Sequence, residues 1–136
     1  MPVQLRVRID DADGLRARLA GLPARLADLS EPMDEIGQAL TTATQDRFLN
    51  ARGPDDRAWP ALSEATKGRR GADAEPLRDR GHLFDSITWR AGSGDVAIGS
   101  GRKYARIHQL GGQAGRGRKV TIPARPYLGV SGADRQ

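Results

Sequence analysis

The sequence predicts an α+β fold: an N-terminal strand and long helices packed on a small, mostly antiparallel β-sheet, with long loops left for assembly. Three observations point there. Period-two alternation opens the chain, helical periodicity occupies the stretch up to Leu49, and alternation returns only after Phe84. Strand, helices, loop, then strands is the order of an α+β protein rather than of a parallel sheet with crossover helices. At 136 residues the chain reads as a single domain over 1–136.

Val3, Leu5, Val7 and Ile9 alternate with Gln4, Arg6 and Arg8, the pattern of a half-buried strand. Asp10, Asp11 and Asp13 offer N-caps to a helix whose seam is Leu15, Leu19, Leu22, Leu26 and Leu29. Gly21 and Pro23 predict a kink in it or two short helices. The seam is too short and broken for a zipper and is read as packing on the next helix or the sheet. Ser30 is expected to cap that next helix, with Pro32 in its first turn. Met33, Ile36, Leu40 and Ala43 form the expected apolar face, which Phe48 and Leu49 extend.

Residues 51–81 are the least regular and are expected to be a mobile loop. Within them Arg52-Gly53-Pro54-Asp55-Asp56-Arg57 is turn chemistry. Trp59 is an aromatic anchor, and Ser63, with Glu64 and Thr66 behind it, opens a short helix. Ile87 and Trp89, then Val96 and Ile98, alternate on either side of Gly92-Ser93-Gly94-Asp95, which predicts a β-hairpin. Tyr104 to Leu110 reads as a short helix with Tyr104, Ile107 and His108 on one face and Gly111 as a left-handed C-terminal cap. Residues 111–119 are expected to be a second mobile loop, and Val120-Thr121-Ile122 a last strand ended by Pro123.

Composition narrows the function. Aromatic residues are 4% and mean hydropathy is −0.59, which predicts a thin aliphatic core and a subunit that gains stability from neighbours. There is no cysteine, hence no disulfide framework or thiolate metal site. No apolar run approaches the length of about 18 residues that a spanning helix needs, so no membrane role is expected. The N-terminus lacks a secretory hydrophobic region, and synthesis in the cytoplasm is expected. The net charge is +5, with 22 Lys and Arg against 17 Asp and Glu. That is either a well-solvated surface or the mark of a polyanion or acidic protein face nearby. After Asp95, the basic residues Arg102, Lys103, Arg106, Arg116, Arg118, Lys119, Arg125 and Arg135 face only Asp134.

Candidate chemistry is sparse. His82 and His108 are the only histidines and stand in no zinc-ligand spacing; no cofactor or metal is expected. His108 has no nucleophile spaced to use it as a base, and is read as a structural side chain hydrogen-bonded between helix and loop. Ser86 lies in no nucleophile elbow. Gly111-Gly112-Gln113-Ala114-Gly115-Arg116-Gly117-Arg118-Lys119 lacks the ending of a phosphate loop. It is instead a basic arm, and Arg116, Arg118 and Lys119, with Arg102 and Lys103, are the candidate contacts to DNA or an acidic partner. In Pro123-Ala124-Arg125-Pro126 the prolines flank an arginine. The segment is either a pre-organised carboxylate or phosphate contact or a plain turn.

Fragments of the chain form one ordered pattern over roughly residues 30–129: Gly53-Pro54 through Trp59-Pro60-Ala61-Leu62-Ser63; Leu77 through Gly81; Leu83, Ser86 and Ile87; and Ile98-Gly99. The pattern continues at Tyr104-Ala105, Ile107-His108-Gln109 and Gly111-Gly112, and ends at Ile122-Pro123-Ala124-Arg125-Pro126-Tyr127-Leu128-Gly129. Together these fragments resemble the phage virion morphogenesis family, the tail-completion proteins of Mu-like and related temperate phages. The resemblance implies a non-enzymatic virion protein at the head–tail junction or tail. It implies a homo-oligomeric ring, a hexamer, around the DNA channel, with phage connector or adaptor and tail-tube proteins as partners. Trp59, Tyr104, His108, Gln109, Arg125, Pro126 and Tyr127 are then the expected partner or ring contacts. Asp55-Asp56-Arg57-Ala58 departs from the glycine-containing turn expected there, and the C-terminal helix of many relatives is expected to be missing. Tail terminator, stopper and assembly chaperone fit the resemblance equally. Rival readings are a basic nucleic-acid-binding module, a non-virion assembly factor, and a small hydrolase using His108.

Overall fold

A computed structural model describes residues 3–8 and 28–135. The Asp10–Asp13 caps, Ile9 and the leucine seam before Leu29 lie outside those residues. The fold is α+β, as expected. Strand β1 (Val3–Arg8) pairs antiparallel with β3 (Asp95–Ser100), which pairs antiparallel with β2 (Thr88–Ala91), giving the order β1-β3-β2. β2 and β3 form the hairpin foreseen around Gly92, whose N–H donates to Asp95 O at 2.7 Å. The register sets Leu5 and Trp89 on either side of Ile98, and Val7 and Ala91 on either side of Val96. One sheet face is therefore apolar, while Gln4, Arg6 and Arg8 on the other are exposed.

Helix α1 (Ser30–Asn50) packs across β2 and β3. Its start differs from expectation. Ser30 does not cap it; the Asp28 carboxylate accepts from the Ser30 N–H at 2.9 Å and from its hydroxyl. The buried stripe also differs, running Met33, Gly37, Leu40, Thr41, Thr44, Arg47 and Phe48, while Ile36 and Leu49 are exposed. Gly37 sets this choice. A Cβ there would overlap Trp89 Cδ1 and approach Val96 Cγ2 to 2.8 Å, so the helix reaches the sheet only through a residue with no side chain. The Trp89 ring is fixed in turn by its Nε1 donating to Asp34 Oδ1 at 2.8 Å.

The core is largely aliphatic, as expected, but an aromatic cluster that composition did not announce stands within it. Phe48 is fully buried, with Trp59 edge-on at 5.6 Å, Phe84 edge-on at 5.8 Å and Tyr127 tilted at 5.3 Å. The fraction of aromatics in the sequence is small, but most of them meet at one point. Residues 51–81 deliver one of these contacts, through Trp59. A tight turn closes between Arg52 and Ala58, Trp59 N–H donates to Ala51 O at 2.8 Å, and Trp59 enters the core. Helix α2 (Glu64–Arg70) then starts at Ser63, whose Oγ accepts from Thr66 N–H as its spacing foretold. Helix α3 (His82–Asp85) buries Leu83 and leads into β2.

Helix α4 (Ala105–Leu110) follows β3. Gly111 ends it at φ 74° but ψ 174°, so it is not the left-handed cap expected. A Cβ would stand 2.9 Å from Ala124 N, which is why glycine is needed there. The stretch 111–119 is not wholly a loop. Gly112–Ala114 forms β4 and pairs antiparallel with β5 (Val120–Ile122), making a two-stranded ribbon. Arg116, Arg118 and Lys119 ride on its 3-10 tip.

Gly37→Ala separates two opposing effects. In an open helix it stabilises by about 0.5–1 kcal/mol. Here the overlap with a hydrogen-bonded indole gives overpacking of about 1–3 kcal/mol. The overlap wins, and a net loss of about 1–2 kcal/mol is expected, read as a lower urea midpoint at unchanged m-value.

Candidate assembly site

Pro123 and Pro126 lack amide N–H groups, so the chain from residue 123 to 130 cannot continue as a regular strand. It is nevertheless buried at Arg125, Tyr127 and Leu128. Its polar backbone groups therefore need partners from elsewhere, and side chains distant in sequence supply them. Gln109 on α4 acts like a strand edge: its Oε1 accepts from Tyr127 N–H and Leu128 N–H, both at 3.0 Å, and its Nε2 donates to Leu128 O at 3.0 Å. Trp59 Nε1 donates to Pro126 O at 2.8 Å. Arg47 Nη1 donates to Tyr127 O at 2.9 Å and Gly129 O at 3.0 Å. The segment answers with Tyr127 OH donating to Ala105 O at 2.7 Å and Arg125 N–H donating to His108 O at 2.8 Å. Burial pushes the Tyr127 phenol far above its ordinary range, so it remains a donor.

Arg125 turns inward. Its Nε and Nη2 donate to Pro60 O and Ala61 O at 2.8 and 2.9 Å, fixing the loop before α2. The flanking prolines thus pre-organise a contact to the chain's own carbonyl groups rather than to an outside anion. His108 differs from its expected role as well: its carbonyl links helix to loop, while its buried Nδ1 has no hydrogen-bond partner. Burial, then the charge of Arg125, lowers the His108 pKa and favours the neutral ring.

The expected contact residues therefore divide. Trp59, Arg125 and Tyr127 are buried, Gln109 is half-buried and bonded within the subunit, and the Pro126 carbonyl is taken by Trp59. Tyr104 is exposed, with its ring edge-on to His108 at 5.9 Å. Arg102 and Lys103 are exposed before α4, and Arg116, Arg118 and Lys119 are exposed on the ribbon tip. Sequence reasoning missed Arg47 and Asp134. Arg47 Nη2 meets Asp134 Oδ2 at 2.6 Å, and Ser131 N–H donates to the same oxygen at 2.8 Å. The signal was present: Arg47 falls on the helical stripe of Met33, Leu40 and Thr44, where a charge demands a partner.

Among the described residues no acidic or histidine cluster could hold a metal, and no helix is long and apolar enough to cross a membrane. The bonds described for this site are all internal to the subunit and fix its elements to one another. The chain belongs to the phage virion morphogenesis family, whose model matches residues 10–136. That is a family of phage morphogenesis proteins, not a known class of enzymes. The chain is 36% identical over 124 residues to "Mu-like prophage FluMu G protein 2" of Haemophilus influenzae, covering 91% of this chain and 83% of that one. It is 34% identical over 107 residues to "Putative capsid assembly protein G" of Escherichia phage Mu, covering 74% of this chain and 69% of that one. No solved structure matches significantly. The family places the protein in phage structure or assembly and associates it with the phage particle.

The Arg47–Asp134 pair makes a pH prediction. Burial alone raises the Asp134 pKa, but the backbone and side-chain hydrogen bonds with Ser131 and the charge of Arg47 outweigh it, so the carboxyl lies below its ordinary 3.8. A depressed folded value stabilises fully above 3.8, and that contribution is lost as pH falls through the folded value. Asp134→Asn is expected to be less stable than the parent at pH 7, with the gap closing below pH 3.8 in thermal melts. Arg47→Met, which leaves two carbonyls and a carboxylate short of a donor, is expected to lose about 3 kcal/mol at pH 7.

Proposed function

We propose that this protein is a ring-forming component of the head–tail junction, as a neck, tail-completion or tail-terminator protein. It joins the capsid connector to the tail and leaves a channel for DNA. The observation that carries this reading is an exposed apolar surface on a support fixed by hydrogen bonds. Gln109, Arg125 and Tyr127 lock α4 to the extended segment, and Gly111 leads directly into the ribbon. That unit presents Tyr104, Leu110 and Val120 to solvent, the last two 59% and 53% exposed. Exposed apolar side chains on a fixed support suit contact with another protein. The motif residues Trp59, Gln109, Arg125, Pro126 and Tyr127, bonded within the subunit, then serve the ring by positioning, and Tyr104 and the α4 surface by contact.

The charge fits the same reading. Six copies at +5 each carry about +30, with Arg116, Arg118 and Lys119 gathered on a protruding tip. Such a ring attracts DNA in its channel without reading sequence. The name of the phage Mu relative refers to capsid assembly, which is compatible with a junction at the capsid. The same basic tip also favours a second reading, a nucleic-acid-binding module that acts as a monomer.

Light scattering across concentration and salt tests the choice. A discrete ring-sized species, or a monomer that assembles only with a connector or tail-tube protein, is the expected result. A monodisperse monomer that ignores such partners but binds DNA in a salt-dependent way overturns the ring. Arg116→Glu with Arg118→Glu and Lys119→Glu is expected to leave the melting temperature within a few degrees, since exposed substitutions change stability by about 0.5 kcal/mol or less. The same variant is expected to abolish DNA retention by the protein on a filter at low salt.

A further inference from the structure

Two separate clefts of opposite charge lie on this subunit and share no lining residue. One, of about 470 Å³, is bounded by α2, the residues around α3, α4 and the end of β5. Arg69, Arg70, Arg80 and Arg125 line it against a single carboxylate, Asp79. Asp79 is engaged by Arg70 at 3.3 Å, and Arg69 and Arg80 have no ion pair among the described residues. The crowding of cations is felt within the cleft: burial first and then Arg70 lower the Arg125 pKa. His108, whose Nδ1 is buried and unpartnered, forms part of the wall. The cleft holds one carboxylate against four guanidinium groups. Its remaining walls include Leu62, Leu77 and Ile122, so it suits carboxylates carried on a folded peptide better than a run of phosphates.

The other cleft, of about 800 Å³, is lined by Asp46, Asp55, Asp56 and Asp134 against Arg47 and Arg52. Arg47 is already committed to Asp134. On its rim stands the Arg52–Ala58 turn, with the Asp55 and Asp56 side chains 59% and 91% exposed and paired only within the turn, to Arg57 at 3.6 Å and Arg52 at 3.7 Å, so that a neighbour's guanidinium groups can replace these solvated pairs. The turn is stiff. Asp56 N–H donates to Gly53 O at 3.0 Å, Arg57 N–H donates to Asp55 Oδ1 at 3.1 Å, and Asp56 is held at φ 61°. A turn already shaped loses little entropy on docking.

We propose that the basic cleft receives the Asp55–Asp56 turn of a second copy of this chain. Each subunit gives its turn to one neighbour and takes the turn of the other, a head-to-tail contact that closes into a ring when its rotation closes. Arg69 and Arg80 supply the free cations, and the carboxylates relieve the like-charge crowding around Arg125. This rests on the ring reading above, since it names the contact that makes the ring.

Charge reversal in the full chain tests it. Asp55→Arg with Asp56→Asn removes both carboxylates and reverses the charge at the tip of the turn while keeping at 56 a residue that tolerates positive φ. Arg69→Glu with Arg80→Glu reverses the cleft without touching the internal bonds of Arg70 and Arg125. By sedimentation, each variant alone is expected to be monomeric at concentrations where the parent is a ring. Their equimolar mixture is expected to form rings of alternating subunits, because each reversed turn then meets a reversed cleft. Rings from either variant alone overturn the contact and leave the ring reading intact; so does loss in both without rescue in the mixture. If the parent itself never assembles, a peptide of residues 52–58 is titrated into it while the His108 ring signals are followed by NMR. A shift that weakens at least tenfold in the Arg69→Glu, Arg80→Glu protein upholds the contact although the ring has failed. An unmoved His108 signal overturns the contact.

Discussion

The structure depends on satisfying the backbone of one buried extended segment, residues 123–130, that has no strand beside it. Its two prolines bar a regular ladder, yet Tyr127 and Leu128 are in the core. Each backbone group left unpaired there would destabilise by about 1–3 kcal/mol, more than the roughly 1 kcal/mol that an ordinary hydrogen bond contributes. The fold answers with side chains from three elements: Arg47 from α1, Trp59 from the turn before α2, and Gln109 from α4. These bonds act as tertiary fasteners. They fix helices and ribbon relative to one another in a subunit whose three-stranded sheet is too small to do so alone.

The aromatic cluster is the apolar counterpart of that lock. Phe48 lies one residue beyond Arg47 on α1, so one turn of helix gives both a ring to the core and a guanidinium to the segment. Trp59 and Tyr127 are likewise bifunctional: each packs its ring on Phe48 and uses its polar atom on distant backbone. A buried Trp or Tyr needs a partner for its N–H or O–H, and here that need is the means of tying the chain together. A chain poor in aromatics can build such a cluster when they converge, which an average over composition does not reveal.

What was legible in the sequence follows from range. The alternation of Val3, Leu5 and Val7, the hairpin around Gly92 and the Ser63 cap are local patterns, and each appears where its residues stand. The burial of α1 was only half legible. Periodicity marked Met33 and Leu40, but it also marked Ile36, and it could not show that Gly37 is the residue the sheet touches. The ribbon was missed because Gly112 and Gly115 read as loop, while β4 is made by pairing with β5 rather than by its own propensity. At the site, the motif located the right residues without their roles. Arg47 and Tyr127 are 80 residues apart, and no local spacing announces a side chain that serves backbone at that distance.

That division of roles bears on how family membership relates to assembly. The motif through Gly53-Pro54, Trp59, His108-Gln109 and Arg125-Pro126-Tyr127 mainly specifies the interior of one subunit. Gly53 lies close beneath Pro126 O and Pro54 against Gly129, so the base of the Arg52–Ala58 turn belongs to the lock. Its tip does not: Asp55 and Asp56 depart from the expected glycine-containing turn and touch only their own turn and solvent. A base held by the lock, with a tip bonded only to itself, lets the charge at that tip change without disturbing the rest of the fold. The same holds for the ribbon, anchored at Gly111 and Ile122 against Ala124 but bearing its arginines and lysine on an exposed end. The motif thus falls largely within the lock, while the charged ends of turn and ribbon stand outside it in solvent.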